Sequence, residues 1–127
     1  MKLLSSFLVF ILTLGISWPV MASVLILDRT NKHGFRKIDV LKKDKGVYFY
    51  NNFSLGKKLP PEVLQAWKIF EKGPLKDSNL ICSAGTYSFI KDENQKKIKH
   101  TGCTQGESYA LWVKNVELVR RYAKERP

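Results

Sequence analysis

The strongest constraint on the fold is a segment, Leu80–Gln105, that contains the two cysteines of the chain, Cys82 and Cys103. Alternating polar and apolar residues on either side of a short polar tip are typical of a β-hairpin. A turn centred on residues 92 and 93 would place Cys82 directly opposite Cys103, within reach of a cross-strand disulfide. The segment therefore predicts two antiparallel strands that are cross-linked by the cysteine pair.

The register of this hairpin is left open by its turn sequence. Strict alternation places the cysteines on the more polar face of the sheet. Asp92-Glu93 is a poor two-residue turn, because such turns prefer residues that adopt positive φ. We therefore favour a longer tip, Asp92–Gln95, with a β-bulge at Gly85 or Gly102 that could turn the disulfide inward.

The N-terminal residues have the pattern of a signal peptide. A short positive start is followed by an apolar run, Leu3–Trp18, and small side chains at Val20 and Ala22 precede Ser23. We predict a signal peptide over residues 1–22, with cleavage between Ala22 and Ser23. A membrane anchor is the alternative, since about 20 apolar residues span a bilayer. A glycine and a proline interrupt the run and no basic cluster follows it, which favours the signal.

Removal of 22 residues from the chain of 127 leaves 105, enough for one small domain over residues 23–127. A domain of this size is marginally stable without a cross-link. Exported chains tend to pair their cysteines, and closing a loop of this span adds about 3 kcal/mol of stability. Two free buried thiols are the alternative. We expect an exported monomer, periplasmic or extracellular, with no transmembrane segment after cleavage.

The chain is strongly basic, with 22 lysines and arginines against 11 acids and a net charge of +11. This charge favours anionic partners, such as an envelope component or an acidic protein. The basic residues are most concentrated in the hairpin, at Lys91, Lys96, Lys97, Lys99 and His100. This set is the candidate binding surface. A solvated lysine-rich edge that prevents strand pairing is the alternative explanation.

Three segments before the hairpin have strand patterns. The apolar run Val24–Leu27 is typical of a central strand that is covered on both faces. Phe35–Leu41 alternates, with Ile38 on one face and Asp39 on the other. Val47–Phe53 is rich in aromatic residues and forms the third strand of an antiparallel meander.

Two segments have helical periodicity. A loop at Ser54–Lys58 precedes Leu59-Pro60-Pro61-Glu62, which has the proline and the acid that suit a first turn, and Gly73-Pro74 ends this helix. Glu117 lies on the polar side of the second helix, where we expect it to pair with Arg121. The predicted core stripes are Val63, Ala66, Trp67 and Phe70 in the first helix, and Tyr109, Trp112, Val113, Val116, Val119 and Ala123 in the second, which follows 106–108.

The predicted element order is β-β-β-α-β-β-α. Antiparallel strands with helices gathered on one side form an α+β two-layer domain. We therefore predict an antiparallel sheet of about five strands with two helices on one face.

No residue pattern indicates an enzyme, a cofactor or a metal site. His33 and His100 lack neighbours of ligand type, so both are expected at the surface. The chain has no G-x-S-x-G motif, and paired cysteines are not nucleophiles. Asp28 and Asp39 could meet across neighbouring strands as paired carboxylates, although surface carboxylates often do so without a catalytic role.

The whole layout resembles one family of small proteins, the emfourin-type inhibitors of thermolysin-like metalloproteases. In that family short strands precede a helix that is entered through a sequence similar to Leu59-Pro60-Pro61-Glu62. A strand pair and a final helix follow, here Leu80–Cys103 and Tyr109–Glu125. The resemblance implies a protease inhibitor and transfers no inhibitory residue. The residues themselves favour a non-enzymatic binding domain for anionic partners, with protease inhibition as the alternative and an enzyme of unrecognised type as the least favoured function.

Overall fold

A computed structural model of the chain describes residues 22–74 and 81–126. The elements along the chain are β1 (Ser23–Asn31), β2 (Arg36–Asp44), β3 (Val47–Tyr50), β4 (Phe53–Gly56), α1 (Pro61–Lys72), β5 (Gly85–Glu93), β6 (Lys96–Cys103) and α2 (Glu107–Glu125). The strands form one antiparallel sheet in the order β4-β3-β2-β1-β5-β6. The sheet and the two helices confirm the predicted α+β class.

The N-terminal prediction falls mostly outside the described residues. Residues 1–21, which make up nearly all of the predicted signal peptide, are not among them, and β1 begins at Ser23, the residue that follows the predicted cleavage site. Within the two described ranges, no helix is long and apolar enough to cross a membrane.

The sheet has six strands rather than five because the segment predicted as one strand, Val47–Phe53, contains a hairpin turn. Asn51 and Asn52 adopt positive φ values of 46° and 70° and join β3 to β4. Asparagine tolerates this left-handed conformation, which suits two-residue turns between twisted strands. β4 therefore replaces most of the loop predicted at Ser54–Lys58.

β1 is central in the sheet, as predicted, but the helices cover only one of its faces. Leu25 and Leu27 lie beneath the helices and are 1% and 0% exposed. Val24 and Ile26 lie on the opposite face and are partly exposed. The expectation of cover on both faces is therefore wrong for the described chain. We call the side beneath the helices the covered face and the other side the open face.

The two faces of β2 are distinct, but its acidic residue is the buried one. Leu25 lies opposite Leu41 and Leu27 opposite Asp39, so all four residues share the covered face. Asp39 is 1% exposed, whereas Ile38 is 41% exposed. Asp39 is buried because pairing with β1 places this acid beneath the helices.

Both helices follow the predicted periodicity, and α1 ends at Lys72, directly before the glycine predicted to stop it. The ring of Phe70 lies 5.2 Å from that of Phe89 and 4.8 Å from that of Trp112. β5, α1 and α2 therefore meet at one aromatic centre. The buried residues of the helices are Val63, Ala66, Trp67 and Phe70 in α1, and Tyr109, Trp112, Val116 and Val119 in α2.

The β5–β6 hairpin has a register that differs from both predicted alternatives. Glu93 lies opposite Lys96 and Thr86 opposite Cys103. The turn therefore consists of two residues, Asn94-Gln95, with φ values of 52° and 64°. The ladder between the paired residues has no bulge. An asparagine at the first turn position suits this conformation better than the acidic pair on which the predicted turn was centred.

The two glycines that suggested a bulge instead allow close packing. A Cβ atom at Gly102 would lie 2.7 Å from the ring of Tyr87, the residue directly opposite it. A Cβ atom at Gly85 would lie 2.3 Å from the carbonyl oxygen of Thr30. Both distances are too short for a side chain, so glycine is required by contact with the neighbouring strand.

The disulfide between Cys82 and Cys103 is confirmed. Cys82 lies before β5 rather than within it, and Thr86 takes the position opposite Cys103. The same entry segment is held by Gln105, whose side-chain oxygen accepts a hydrogen bond from the N–H of Ser83 at 2.9 Å. The disulfide thus ties the start of β5 to the end of β6.

Candidate functional site

A buried carboxylate, Asp39, is the centre of a polar network between the sheet and α2. Tyr50 donates its hydroxyl hydrogen to one carboxylate oxygen at 2.5 Å, and Arg29 donates to the other at 2.7 Å. The three residues come from β2, β3 and β1, respectively. A buried charge is costly unless it is paired and hydrogen-bonded. Both oxygens of this carboxylate meet that condition.

A second carboxylate, Glu117, connects the buried acid to α2. It accepts hydrogen bonds from Arg29 at 3.3 Å and from Arg120 at 2.8 Å, and the Nζ of Lys37 lies 3.4 Å away. The predicted pair of Glu117 with Arg121 is wrong, because Glu117 faces the basic residues of the sheet and its helical partner is Arg120. We call the following set the charge network: Arg29, Asp39, Tyr50, Glu117 and Arg120.

The surroundings of the charge network determine how its members ionise. Burial and the hydrogen bond to Asp39 raise the pKa of Tyr50, so the phenol stays protonated and remains a donor. Burial acts to raise the pKa of Glu117, but Arg120, Lys37 and Arg29 together outweigh it and the pKa is lowered. Burial acts to lower the pKa of Arg29, but the hydroxyl of Tyr109 and the carboxylate of Asp39 together outweigh it and the pKa is raised.

Two members of the charge network, Tyr50 and Arg120, line a cleft between the β3–β4 turn and the last turns of α2. The cleft has a volume of about 610 Å³. Three of its described lining residues are cations, and none of them is an acid, so we call it the basic cleft. The lining residues are Tyr50, Asn51, Phe53, Arg120, Ala123, Lys124 and Arg126.

Hydrogen bonds fix the strand side of the basic cleft. The side-chain oxygen of Asn51 accepts a hydrogen bond from the N–H of Val40 at 2.7 Å, and the N–H of Asn51 donates to the carbonyl oxygen of Val40 at 2.9 Å. These bonds hold the turn that carries Phe53, a residue that is 69% exposed. An exposed aromatic ring in a cleft offers a broad apolar contact to a ligand.

The helix side of the basic cleft supplies the positive charge. Arg120 is oriented by its hydrogen bond to Glu117. Arg126 donates to the hydroxyl oxygen of Tyr122 at 3.1 Å and to a backbone carbonyl of β4. Lys124 is exposed and makes no ion pair within the described part of the chain. Two of the three cations are therefore held in place before any ligand arrives, which lowers the entropy lost on binding.

The structure divides the predicted basic hairpin surface between the two faces of the sheet. Residues directly opposite each other in an antiparallel pair share a face. By this rule Lys97 and Lys99 lie on the open face, and Lys91, Lys96 and His100 lie on the other. Lys91 also pairs with a glutamate of its own strand at 3.9 Å. The five residues do not form one surface, and binding by them stays a prediction.

The other candidate residues are not brought together either. Asp28 lies opposite Ile38 on the open face, whereas Asp39 lies on the covered face, so the expected carboxylate pair is wrong. His33 and His100 are exposed, as predicted. Within residues 22–74 and 81–126, no group of three or more metal-ligating side chains could hold a metal ion.

Sequence reasoning missed the charge network because its members lie far apart along the chain. Arg29 and Glu117 are separated by 88 residues, a distance over which no periodicity connects them. One local signal was present: Asp39 is in phase with Leu41, an apolar residue of the same strand. An acid in phase with a core residue is a candidate for a paired, buried charge.

Comparison with known proteins adds no family to this description, since no family model, curated protein or solved structure matches the chain. The resemblance to emfourin-type inhibitors therefore stays a prediction.

Proposed function

We propose that the chain is an exported, non-enzymatic binding domain whose basic cleft holds an anionic partner. The net charge of +11 supports this proposal, because it attracts anions over the whole surface. One observation carries it: the basic cleft combines three cations and an exposed aromatic ring, with no acid among its described lining residues.

The chemistry of the basic cleft selects a particular kind of anion. The guanidinium groups of Arg120 and Arg126 present planar pairs of donors that match a carboxylate or a phosphate. Phe53 and Ala123 offer apolar surface beside them. The ligand that fits both is a carboxylate or phosphate group attached to an apolar body, such as an acidic peptide that contains an aromatic residue.

The basic cleft is a better binding site than the hairpin for two reasons. Its cations converge on one concave volume, whereas those of the hairpin are divided between two faces. Two of its cations are also oriented by other protein groups, and lysines at a hairpin tip lose more side-chain entropy when they bind.

Export is the second part of the proposal. A disulfide persists mainly in oxidising compartments, and the bond between Cys82 and Cys103 supports a periplasmic or extracellular location. The signal pattern over residues 1–22 supports the same location. Export at this site predicts that the mature protein begins at Ser23, and N-terminal sequencing of the protein from its native source measures this directly.

Binding can be tested with a short fluorescent peptide that contains one phenylalanine among several aspartates. Fluorescence anisotropy measures its affinity for the purified oxidised protein and for the variant Lys124→Glu. We expect an affinity loss of at least about tenfold, because the substitution places an acid inside the basic cleft. A matched peptide with serine in place of phenylalanine should bind more weakly to the unchanged protein, since it loses the contact with Phe53.

The variant Lys97→Glu is the matched control, since it makes the same change of net charge on the open face of the hairpin. We expect it to weaken binding by less than about threefold. Equal losses in both variants would show that only net charge matters, and the assignment of the basic cleft would then fail.

A further inference from the structure

The open face carries an apolar patch that no described residue covers. Ile26 on β1 lies between Val40 on β2 and Ile90 on β5, and all three are partly exposed. Ile38, which is 41% exposed, extends the patch along β2, and Phe49, whose ring lies 5.5 Å beneath the Nζ of Lys42, extends it onto β3. A contiguous apolar patch of this kind marks an interaction surface.

The composition of the central strand favours a partner layer over this patch. The run Val24–Leu27 is apolar at every position, a composition typical of strands that are covered on both faces. Within the described residues, Leu25 and Leu27 are buried, whereas Val24 and Ile26 stay partly exposed. The composition of β1 therefore calls for a second layer over Val24 and Ile26.

The charges beside the patch indicate what this second layer is. Val24 lies between Lys42 on β2 and Asp92 on β5, so opposite charges flank the central strand at the same level. Two residues further along β1, Val40 and Ile90 flank Ile26 in the same way. A second copy that is rotated by 180° about an axis parallel to β1 faces the first copy, with its β2 over β5 of the first. Each flanking residue then lies over the residue that flanks β1 on the other side.

We propose that the open face is the interface of a symmetric homodimer with its two-fold axis parallel to β1. In this dimer Lys42 of each copy meets the partner's Asp92, and Val40 meets the partner's Ile90. Symmetric interfaces require this self-complementarity, in which each contact occurs twice. Two sheets packed face to face with nearly aligned strands form a common sandwich arrangement.

A second copy fits the open face better than an anionic surface does. The face carries three acids and four cations, so it presents both signs of charge, which a second copy can complement and a uniformly anionic surface cannot; they are Asp28, Asp44 and Asp92, and Arg36, Lys42, Lys97 and Lys99. Near the two-fold axis, the two copies of Asp28 would face each other. Arg36 already neutralises each of them through two hydrogen bonds of 2.9 and 2.6 Å. The interface lies on the opposite side of the sheet from the basic cleft, so this proposal does not depend on the proposed ligand. A dimer would differ from the monomer expected from the sequence.

The test is a charge exchange followed by sedimentation velocity on the purified oxidised protein at about 1–100 μM. The unchanged protein should dimerise in this range. Lys42→Asp and Asp92→Lys each place like charges opposite each other twice, so each single variant should dimerise at least about tenfold more weakly. A protein that carries both substitutions should regain dimerisation, because the charges are exchanged rather than lost.

A mixture of the two single variants gives the decisive result. In a heterodimer of K42D with D92K both charge contacts are attractive, so the mixture should contain more dimer than either variant alone. Lys43→Asp, on the covered face of the same strand, is the control and should leave the dissociation constant within about threefold of that of the unchanged protein. A monomer at every concentration, or single variants that dimerise as well as the unchanged protein, would overturn the proposal.

Discussion

Two aspartate–arginine pairs connect β1 to β2, one on each face of the sheet. Asp28 pairs with Arg36 on the open face at 2.6 Å, and Asp39 pairs with Arg29 on the covered face at 2.7 Å. Both pairs are diagonal neighbours in the same ladder. In the first pair the arginine and aspartate side chains are 61% and 26% exposed, and in the second they are 15% and 1% exposed. The same two residue types therefore interact in water in one case and in the core in the other.

The difference lies in how many elements supply partners. The exposed pair is completed by solvent, so two residues are sufficient. The buried pair has lost that solvent, and Tyr50 from β3 and Glu117 from α2 replace it. A charge enters this core only where several elements converge. Arg120, the cleft residue that Glu117 orients, depends on the same convergence, so hydrogen bonds connect this wall of the basic cleft to the core.

The largest loss of folding stability is expected when the buried pair is broken. Asp39→Ala leaves Arg29 without its closest acid and removes the acceptor of the Tyr50 hydroxyl. Loss of one partner of a buried pair costs about 3–5 kcal/mol, and the lower end applies here because Glu117 remains near Arg29. Urea denaturation at neutral pH measures the free energy of unfolding.

The matched control for this variant is Asp28→Ala, which breaks the exposed pair on the same two strands. Its cost should stay below about 1 kcal/mol. Equal losses for the two variants would mean that burial does not distinguish the pairs.

Local patterns were sufficient to predict most elements of the fold. The apolar residues from Val63 to Phe70 recur at helical spacing, and the glycine after Lys72 ends the helix where predicted. The pairing of Cys82 with Cys103 was predicted from the presence of two cysteines behind a predicted signal peptide. Each of these predictions depends on residues that are close in sequence or on residue type alone.

The faces and registers could not be predicted, because they depend on which strands pair. The alternation of β2 fits either orientation, and only its pairing with β1, with Leu41 opposite Leu25, places Asp39 in the core. The short turn Asn51-Asn52 lies within an aromatic run that continues as strand on both sides, and it was therefore missed. The basic cleft combines this turn with the end of α2, and no local pattern links the two.

A smaller loss of folding stability is expected at alkaline pH, and this loss also distinguishes the buried pair from the exposed one. The pKa of Tyr50 is raised by burial and by Asp39, whereas an unfolded tyrosine loses its proton near about pH 10. Above that pH the folded state holds a proton that the unfolded state has lost, so stability falls as pH rises, by at most about 1.4 kcal/mol per pH unit for this group. Urea denaturation between about pH 8 and 11 should show a shallower decline in Tyr50→Phe than in the unchanged protein. Identical slopes would contradict the assignment.

The smallest effect is expected from the exposed pair, and it should depend on salt. The hydrogen bond from Arg36 lowers the pKa of Asp28 from its ordinary value of 3.8. The stabilisation is therefore complete above that value and is lost as pH falls through the lowered pKa. Asp28→Asn should cost about 0.2–1 kcal/mol at neutral pH and low ionic strength, and nearly nothing in about 1 M salt, which screens exposed charges. The loss in Asp39→Ala should persist in the same salt, because water and ions do not reach a carboxylate that is 1% exposed. If salt removed both losses equally, the two pairs would share one environment, and the core position of Asp39 would be wrong.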